Sequence, residues 1–67
     1  MEGTVKFFDV DKGFGFVIGK DNVEYFVHVS DVEKGIILDE DDSVSFEPVE
    51  GDRGLKATSV KLEDVLD

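Results

Sequence analysis

Hydrophobic and polar residues alternate along most of the chain with the period of two that is typical of β-strands. Turn-forming residues divide this pattern into short segments. We therefore predict five strands, at Thr4–Phe8, Phe14–Gly19, Glu24–Val29, Ser43–Glu50 and Leu55–Leu62. No segment has a sustained helical period. Only Ser30, followed three residues later by Glu33, has the spacing of a capped helical turn.

Five short strands in a chain of 67 residues cannot form a good open sheet with both faces covered. Closing the sheet removes most strand edges and encloses a core. We predict an all-β fold, a closed five-stranded antiparallel barrel of the oligonucleotide-binding type. One domain is expected over residues 1–67, with residues 63–67 as a frayed acidic tail. Because Pro48 lies inside the fourth segment, that strand should be an edge strand or bulged there.

The second and third strands form a hairpin whose register can be predicted. A turn at Asp21 and Asn22 pairs residues whose numbers sum to about 42. One face of the hairpin then carries Phe14, Phe16, Phe26 and His28. The other face carries Gly15, Val17, Tyr25 and Val27, and small or β-branched residues of this kind fill a narrow barrel. We expect the core to be completed by Val5, Val32, Val44, Phe46 and Val60.

The predicted outer face is an aromatic patch, which on a small domain usually marks a binding surface. A flat apolar ligand such as a nucleobase gains ~1–3 kcal/mol by stacking on one aromatic ring. Lys6 and Lys12 could then reach phosphates, with Lys20, Arg53 and Lys56 as further candidates. In the alternative, the rings are core or interface residues, since a slip of one residue in the register would exchange the two faces.

The charge of the chain argues against nucleic acid. Seven Lys and Arg residues face seventeen Asp and Glu residues, for a net charge of −10. Residues 1–30, which hold most of the aromatic residues, carry a net charge of only −2, and residues 31–67 carry −8. Charges farther away than a Debye length of ~8 Å are largely screened at physiological salt. Acidic residues away from the patch therefore need not prevent binding.

Catalytic and metal-binding chemistry have little support in the sequence. The absence of cysteine excludes disulfides, thiol nucleophiles and cysteine zinc sites. His28 is the single histidine, and Asp39–Asp42 lacks the spacing of a calcium loop, so it is interpreted as a solvated acidic turn. We expect no enzyme activity and no metal site. With no apolar run for a secretory signal or a membrane span, a cytoplasmic protein is expected.

Two segments carry a family resemblance. Lys12–Val17, KGFGFV, and Tyr25–Val29, YFVHV, resemble the two ribonucleoprotein motifs of bacterial cold-shock proteins. The flanking residues fit as well, so the resemblance covers nearly the whole chain. It implies a five-stranded oligonucleotide-binding barrel that binds single-stranded RNA and DNA with low specificity, often pyrimidine-rich sequence. The implied role is that of an RNA chaperone in cold or growth stress, without a cofactor.

The resemblance also implies a set of nucleic-acid-binding residues. These are Lys6, Phe7, Lys12, Phe14, Phe16, Phe26, His28 and Arg53. Phe7 stands where the family usually has tryptophan, and Val29 replaces an aromatic residue. The loop that follows is about two residues shorter than in the family and lacks its usual aromatic residue. We therefore expect weaker binding or a shorter footprint. For Phe7 to lie on the surface while Val5 is in the core, the first strand must bend or bulge between them.

Two functions compete on these grounds. The first is a chaperone that binds single-stranded nucleic acid. The second is a protein-interaction module, or a homodimer, that uses the same aromatic patch and has little affinity for nucleic acid. A monomer is the expected state, with a homodimer left open. Titration with a labelled oligopyrimidine would separate the two functions.

Overall fold

The computed structural model describes residues 1–51 and 54–63, and this part of the chain contains five strands. Their bounds are β1 Glu2–Asp9, β2 Phe14–Gly19, β3 Glu24–His28, β4 Ser43–Gly51 and β5 Gly54–Leu62. All five predicted strands are present. β1 is longer than predicted because its first residues, Glu2 to Thr4, pair with the start of β4. Arg53 and residues 64–67 lie outside the described residues, so the expected acidic tail stays a prediction.

The strands close into a barrel in the order β1-β2-β3-β5-β4. This confirms the predicted fold class. Four of the five neighbouring pairs are antiparallel, whereas β3 and β5 are parallel where Phe26 pairs with Lys56. A ring with an odd number of strands cannot alternate in direction all the way round, so one parallel pair is required. An isolated parallel bridge between Val32 and Val60 continues this short seam.

The inside of the barrel is filled largely by valine. The buried residues are Val5, Val17, Tyr25, Val27, Leu38, Val44, Phe46, Ala57 and Val60. The predicted core face of the hairpin is therefore confirmed. Val32 is half-buried and packs against the core from its edge, instead of lying inside it as predicted. Leu38 was not predicted, because it comes from a loop without periodicity, and neither was Ala57.

A bulge in β1 separates a buried side chain from an outward one. Val5 pairs with Val17, but Phe7 pairs with Phe16, so the register shifts between them. Lys6 is the extra residue of the bulge and has no residue paired with it on β2. The bend that the sequence required is therefore present. It allows Val5 to be buried while Phe7 is only half-buried on the outer face of the barrel.

The predicted cap after β3 is wrong in one respect. A single 3-10 turn occupies Val29–Asp31, and its N-terminal cap is His28, not Ser30. The reason is the backbone of His28, which is still extended (φ −103°, ψ 149°), whereas Ser30 is already within the turn. The predicted turn at Asp21 and Asn22 agrees with the structure, since Asn22 adopts a left-handed conformation (φ 69°). Pro48 lies on the part of β4 that pairs only with β5, just after a bulge.

Candidate nucleic-acid interface

The outer surface of β1, β2 and β3 carries five side chains that we call the aromatic face: Phe7, Phe14, Phe16, Phe26 and His28. The register of the β2–β3 hairpin places Phe16 opposite Phe26 and Phe14 opposite His28, as predicted. The four phenylalanines are half-buried and His28 is exposed. The phenylalanines of the hairpin and His28 thus lie outside the barrel, and the alternative in which a slipped register buries them is wrong.

The four phenylalanine rings of the aromatic face form one continuous row. Ring centroids are 5.7 Å apart for Phe7 and Phe16, 5.7 Å for Phe16 and Phe26, and 5.9 Å for Phe26 and Phe14. The interplanar angles of 52°, 75° and 29° are within the tilted, edge-on and offset arrangements that aromatic pairs prefer. The rings therefore support one another and are held in place before any ligand arrives.

Gly15 allows β1 to lie close beneath this row. It faces the interior and is buried. A Cβ atom at this position would overlap the carbonyl oxygen of Phe7 and lie 2.6 Å from Cα of Phe8. A side chain on residue 15 would thus push β1 away from β2 and separate the rings of Phe7 and Phe16. The glycine is needed for close approach of two backbones and not for an unusual dihedral angle.

The lysines near the aromatic face differ in their surroundings. Lys6 forms an ion pair with Glu24, with Nζ 2.5 Å from Oε2, and both side chains are about half exposed, at 50% and 48%. Lys12 is exposed in the turn before β2. Lys56, on β5, is half-buried and pairs with Phe26 of β3. Lys20 is paired elsewhere, 2.8 Å from Glu2. The structure therefore brings Lys6, Lys12 and Lys56 to this side of the barrel and places Lys20 in another cluster.

A groove of about 600 Å³ runs along one side of the aromatic face. It is lined by Phe16, Glu24, Phe26, Gly51, Gly54, Leu55 and Lys56. Glu24 and Leu55 are residues that the sequence analysis did not assign to the site. The parity of Glu24 could have identified it, since Glu24, Phe26 and His28 alternate along β3 and face outward together. Leu55 has no such signal, because it reaches the groove through the pairing of β5 with β3.

His28 is attached to the chain that follows it. Its Nδ1 accepts a hydrogen bond from the backbone N–H of Ser30 at 3.1 Å, and Oγ of Ser30 lies 2.9 Å from the same nitrogen. Val29 stands where the family that the sequence resembles usually has an aromatic residue. It is exposed at the start of the 3-10 turn, and its amide donates to the carbonyl of Gly13. An aliphatic side chain at this position offers no ring on which a base could stack.

The described side chains whose pKa values are shifted lie away from the aromatic face. Tyr25 donates a hydrogen bond from its hydroxyl to Asp21 at 2.6 Å. This bond lowers the pKa of Asp21 below 3.8 and raises the pKa of Tyr25 above 10.0. The hydrogen bond and charge of Lys20 likewise lower the pKa of Glu2. The bond between Tyr25 and Asp21 stabilises the β2–β3 turn, and the pair of Lys20 and Glu2 stabilises the start of β1. Both pairs therefore have a structural role.

Asp39–Asp42 form a turn in which the amide of Asp39 donates to the carboxylate of Asp42, at 3.0 Å. Within residues 1–51 and 54–63, three or more metal-ligating side chains do not come together. In the same part of the chain no helix has the length and apolar character that crossing a bilayer would require.

Comparison with a protein family and comparison with individual proteins indicate the same similarity. The family described as "'Cold-shock' DNA-binding domain" matches residues 1–63. Cold shock protein 2 of Lactiplantibacillus plantarum is 46% identical over 61 residues, which is 88% of this chain and 92% of that protein. Cold shock protein CspA of Staphylococcus saprophyticus is 48% identical over the same lengths.

A solved structure shares the fold. The chain described as "drosophila Unr CSD456" superposes with a TM-score of 0.78 and 24% sequence identity. The match covers 96% of this chain and 26% of that longer one. At this level of identity the likeness concerns the barrel alone.

Proposed function

Because the chain belongs to the cold-shock DNA-binding domain family, we propose that it binds single-stranded RNA and DNA with low sequence specificity by stacking bases on the aromatic face. The observation that carries this proposal is the continuous row of four half-buried phenylalanine rings on the outside of the barrel. Every base has a flat π-face, so stacking of this kind tolerates many sequences.

The energetics favour stacking over charge as the main source of affinity. Each base stacked on an aromatic ring contributes ~1–3 kcal/mol, so three stacked bases contribute ~3–9 kcal/mol. Micromolar binding, which needs ~8 kcal/mol, lies at the upper end of this range. By contrast, three lysines lie on this side of the barrel, and Lys6 is already paired with Glu24. A chain with a net charge of −10 gains little from long-range attraction to phosphates. The contribution of phosphates should therefore be small.

The biological role that follows is that of an RNA chaperone in cold or growth stress. Weak, sequence-tolerant binding of unpaired bases opposes the formation of RNA secondary structure without any chemical step. We propose that the protein acts in the cytoplasm as a monomer, needs no cofactor and prefers pyrimidine-rich strands. With valine at position 29 and no aromatic residue in the loop before β4, the footprint should be shorter than is typical of the family.

Titration with a fluorescein-labelled oligopyrimidine tests the proposal. We expect Phe16→Ala and Phe26→Ala each to weaken binding by roughly 5–160-fold, because each removes one stacking ring worth ~1–3 kcal/mol. Leu62→Ala is the matched control, since Leu62 is also a partly exposed apolar residue but pairs with Val44 on β4, away from the aromatic face. Binding should be unchanged in this variant.

Two results would contradict the proposal. Absence of binding at submillimolar strand concentration and low salt would instead favour a protein-interaction module or a homodimer that uses the same face. Binding that is unaffected by both phenylalanine substitutions would place the nucleic-acid site elsewhere on the molecule.

A further inference from the structure

His28 is the only polar side chain among the five that form the aromatic face, and its ring is tied to the backbone. β3 ends at this residue, and the side chain turns back to cap the 3-10 turn Val29–Asp31. The bond that does this runs from the amide of Ser30 to Nδ1 of His28, at 3.1 Å. The hydroxyl of Ser30 lies 2.9 Å from the same ring nitrogen.

This geometry determines which ring nitrogen carries the proton. A backbone N–H can only donate a hydrogen bond, so Nδ1 of His28 must be the acceptor. A neutral imidazole has one protonated nitrogen, and that nitrogen is then Nε2. Among the described residues, none accepts a hydrogen bond from Nε2. The exposed side chain therefore presents an unused N–H donor beside the row of rings.

We infer that Ser30 is a positioning residue, which holds His28 as the Nε2–H tautomer so that His28 offers a bound strand a hydrogen-bond donor as well as a flat ring. This inference rests on the proposed function. The complementary group on the ligand is an acceptor oxygen, supplied by a base carbonyl or by a phosphate. Stacking alone would not require any particular tautomer, so the two contributions can be separated.

The first experiment uses the free protein and needs no ligand. In ¹⁵N-labelled protein at pH 8.5, we expect a scalar coupling across the N–H···N bond between the amide of Ser30 and Nδ1 of His28. Nε2 should have a pyrrole-like shift. Ser30→Thr, which retains the amide and the hydroxyl, should preserve these signals. Ser30→Pro, which lacks the N–H, should shift the ring nitrogens toward the average of two tautomers. A missing coupling, or a proton on Nδ1, would overturn the inference.

The second experiment measures the donor in the complex. His28→Phe keeps a flat ring but has no N–H, so binding of labelled oligothymidylate should weaken by about 2–12-fold, the range for one net hydrogen bond. Binding that is equal to or tighter than that of the wild type would overturn the donor role. Repeating the comparison with methylphosphonate linkages identifies the acceptor: the effect of His28→Phe should shrink if the acceptor is a phosphate oxygen and persist if it is a base carbonyl.

A second substitution at His28 distinguishes the loss of the side chain's role in binding from a loss of folding. His28→Asn restores a good N-terminal cap but has neither ring nor Nε2, so it should fold and bind more weakly than the wild type; wild-type affinity would overturn the role of His28. If wild-type protein does not bind oligothymidylate at all, the proposed function and the donor role both fail. The coupling between Ser30 and His28 would then still decide, on its own, whether the ring is positioned as inferred.

Discussion

The ion pair between Lys6 and Glu24 leads to a quantitative prediction about salt. Because Nζ of Lys6 lies 2.5 Å from Oε2 of Glu24, a phosphate must compete with this carboxylate for the lysine. Glu24→Gln removes the competitor and leaves the side-chain length unchanged. The variant should bind a single strand more tightly, and its affinity should depend more steeply on salt concentration, since one more lysine then displaces a counterion from the strand.

The magnitude can be worked out from the lysines that lie on the side of the aromatic face. With Lys12 and Lys56 as contacts, the described cations should give a slope of log K against log salt of about −1.4, at ~0.7 per phosphate contact on single strands. A contact from Arg53, which lies outside the described residues, would add the same ~0.7 to the slope of every variant compared. With Lys6 released, the slope should be about −2.1. Between 50 and 200 mM salt, wild-type affinity should then fall ~7-fold and that of the variant ~18-fold. At 50 mM the variant should bind roughly 1.4–5-fold more tightly, as expected for an exposed ion pair of ~0.2–1 kcal/mol.

Fluorescence anisotropy of a labelled oligothymidylate across a KCl series measures both quantities. Glu2→Gln is the matched control, because it makes the same change of charge and also releases a paired lysine, Lys20. Glu2 and Lys20 line a different groove with Gly3, Thr4, Ser43 and Glu63. The slope of the control should equal that of the wild type. An unchanged slope in Glu24→Gln, or a wild-type slope steeper than about −4, would refute the view that stacking dominates and that Lys6 is restrained.

Two further predictions concern stability and can be checked by chemical denaturation. Gly15→Ala should destabilise the fold by ~1–3 kcal/mol or more, because its Cβ would overlap the backbone of β1. Gly35→Ala meets no atom within 4 Å but has a φ of +86°, so it should cost only ~1 kcal/mol; equal effects would contradict the argument from close approach. Because Tyr25 lowers the pKa of Asp21, their bond should stabilise the fold above the ordinary pKa of 3.8 and lose this effect as the pH falls through the lower folded value. Asp21→Asn should therefore show a shallower loss of stability in acid, and a parallel pH profile would argue against this bond.

Much of the fold could be predicted because its signals are local. Alternation with a period of two identified all five strands, and the turn at Asp21 and Asn22 fixed the register of the hairpin. In a closed barrel one face of each strand must be buried, so the placement of Val17 and Val27 inside implied that Phe16 and Phe26 lie outside. The family and the aromatic face followed from those same residues.

The errors and omissions occur where distant segments meet. Leu38 enters the core from an irregular loop, and Val32 stays at the edge of the core although its residue type favours burial. The cap was assigned to Ser30 because the sequence pattern does not reveal that the backbone of His28 remains extended. The pairing of Lys6 with Glu24 also depends on two strands that are separated by a third.

On β2 and β3 the sequence by itself determined which side chains face outward, and so which rings of the hairpin are available to a ligand, because pleating alternates residues along a regular strand. Only the tertiary structure decided how that surface is charged and oriented. The β1 bulge brings Phe7 beside Phe16, Glu24 occupies Lys6, and Ser30 holds the ring of His28. The first two contacts depend on the pairing of separate strands, and the third depends on the extended backbone of His28; the alternation of residue types encodes none of these.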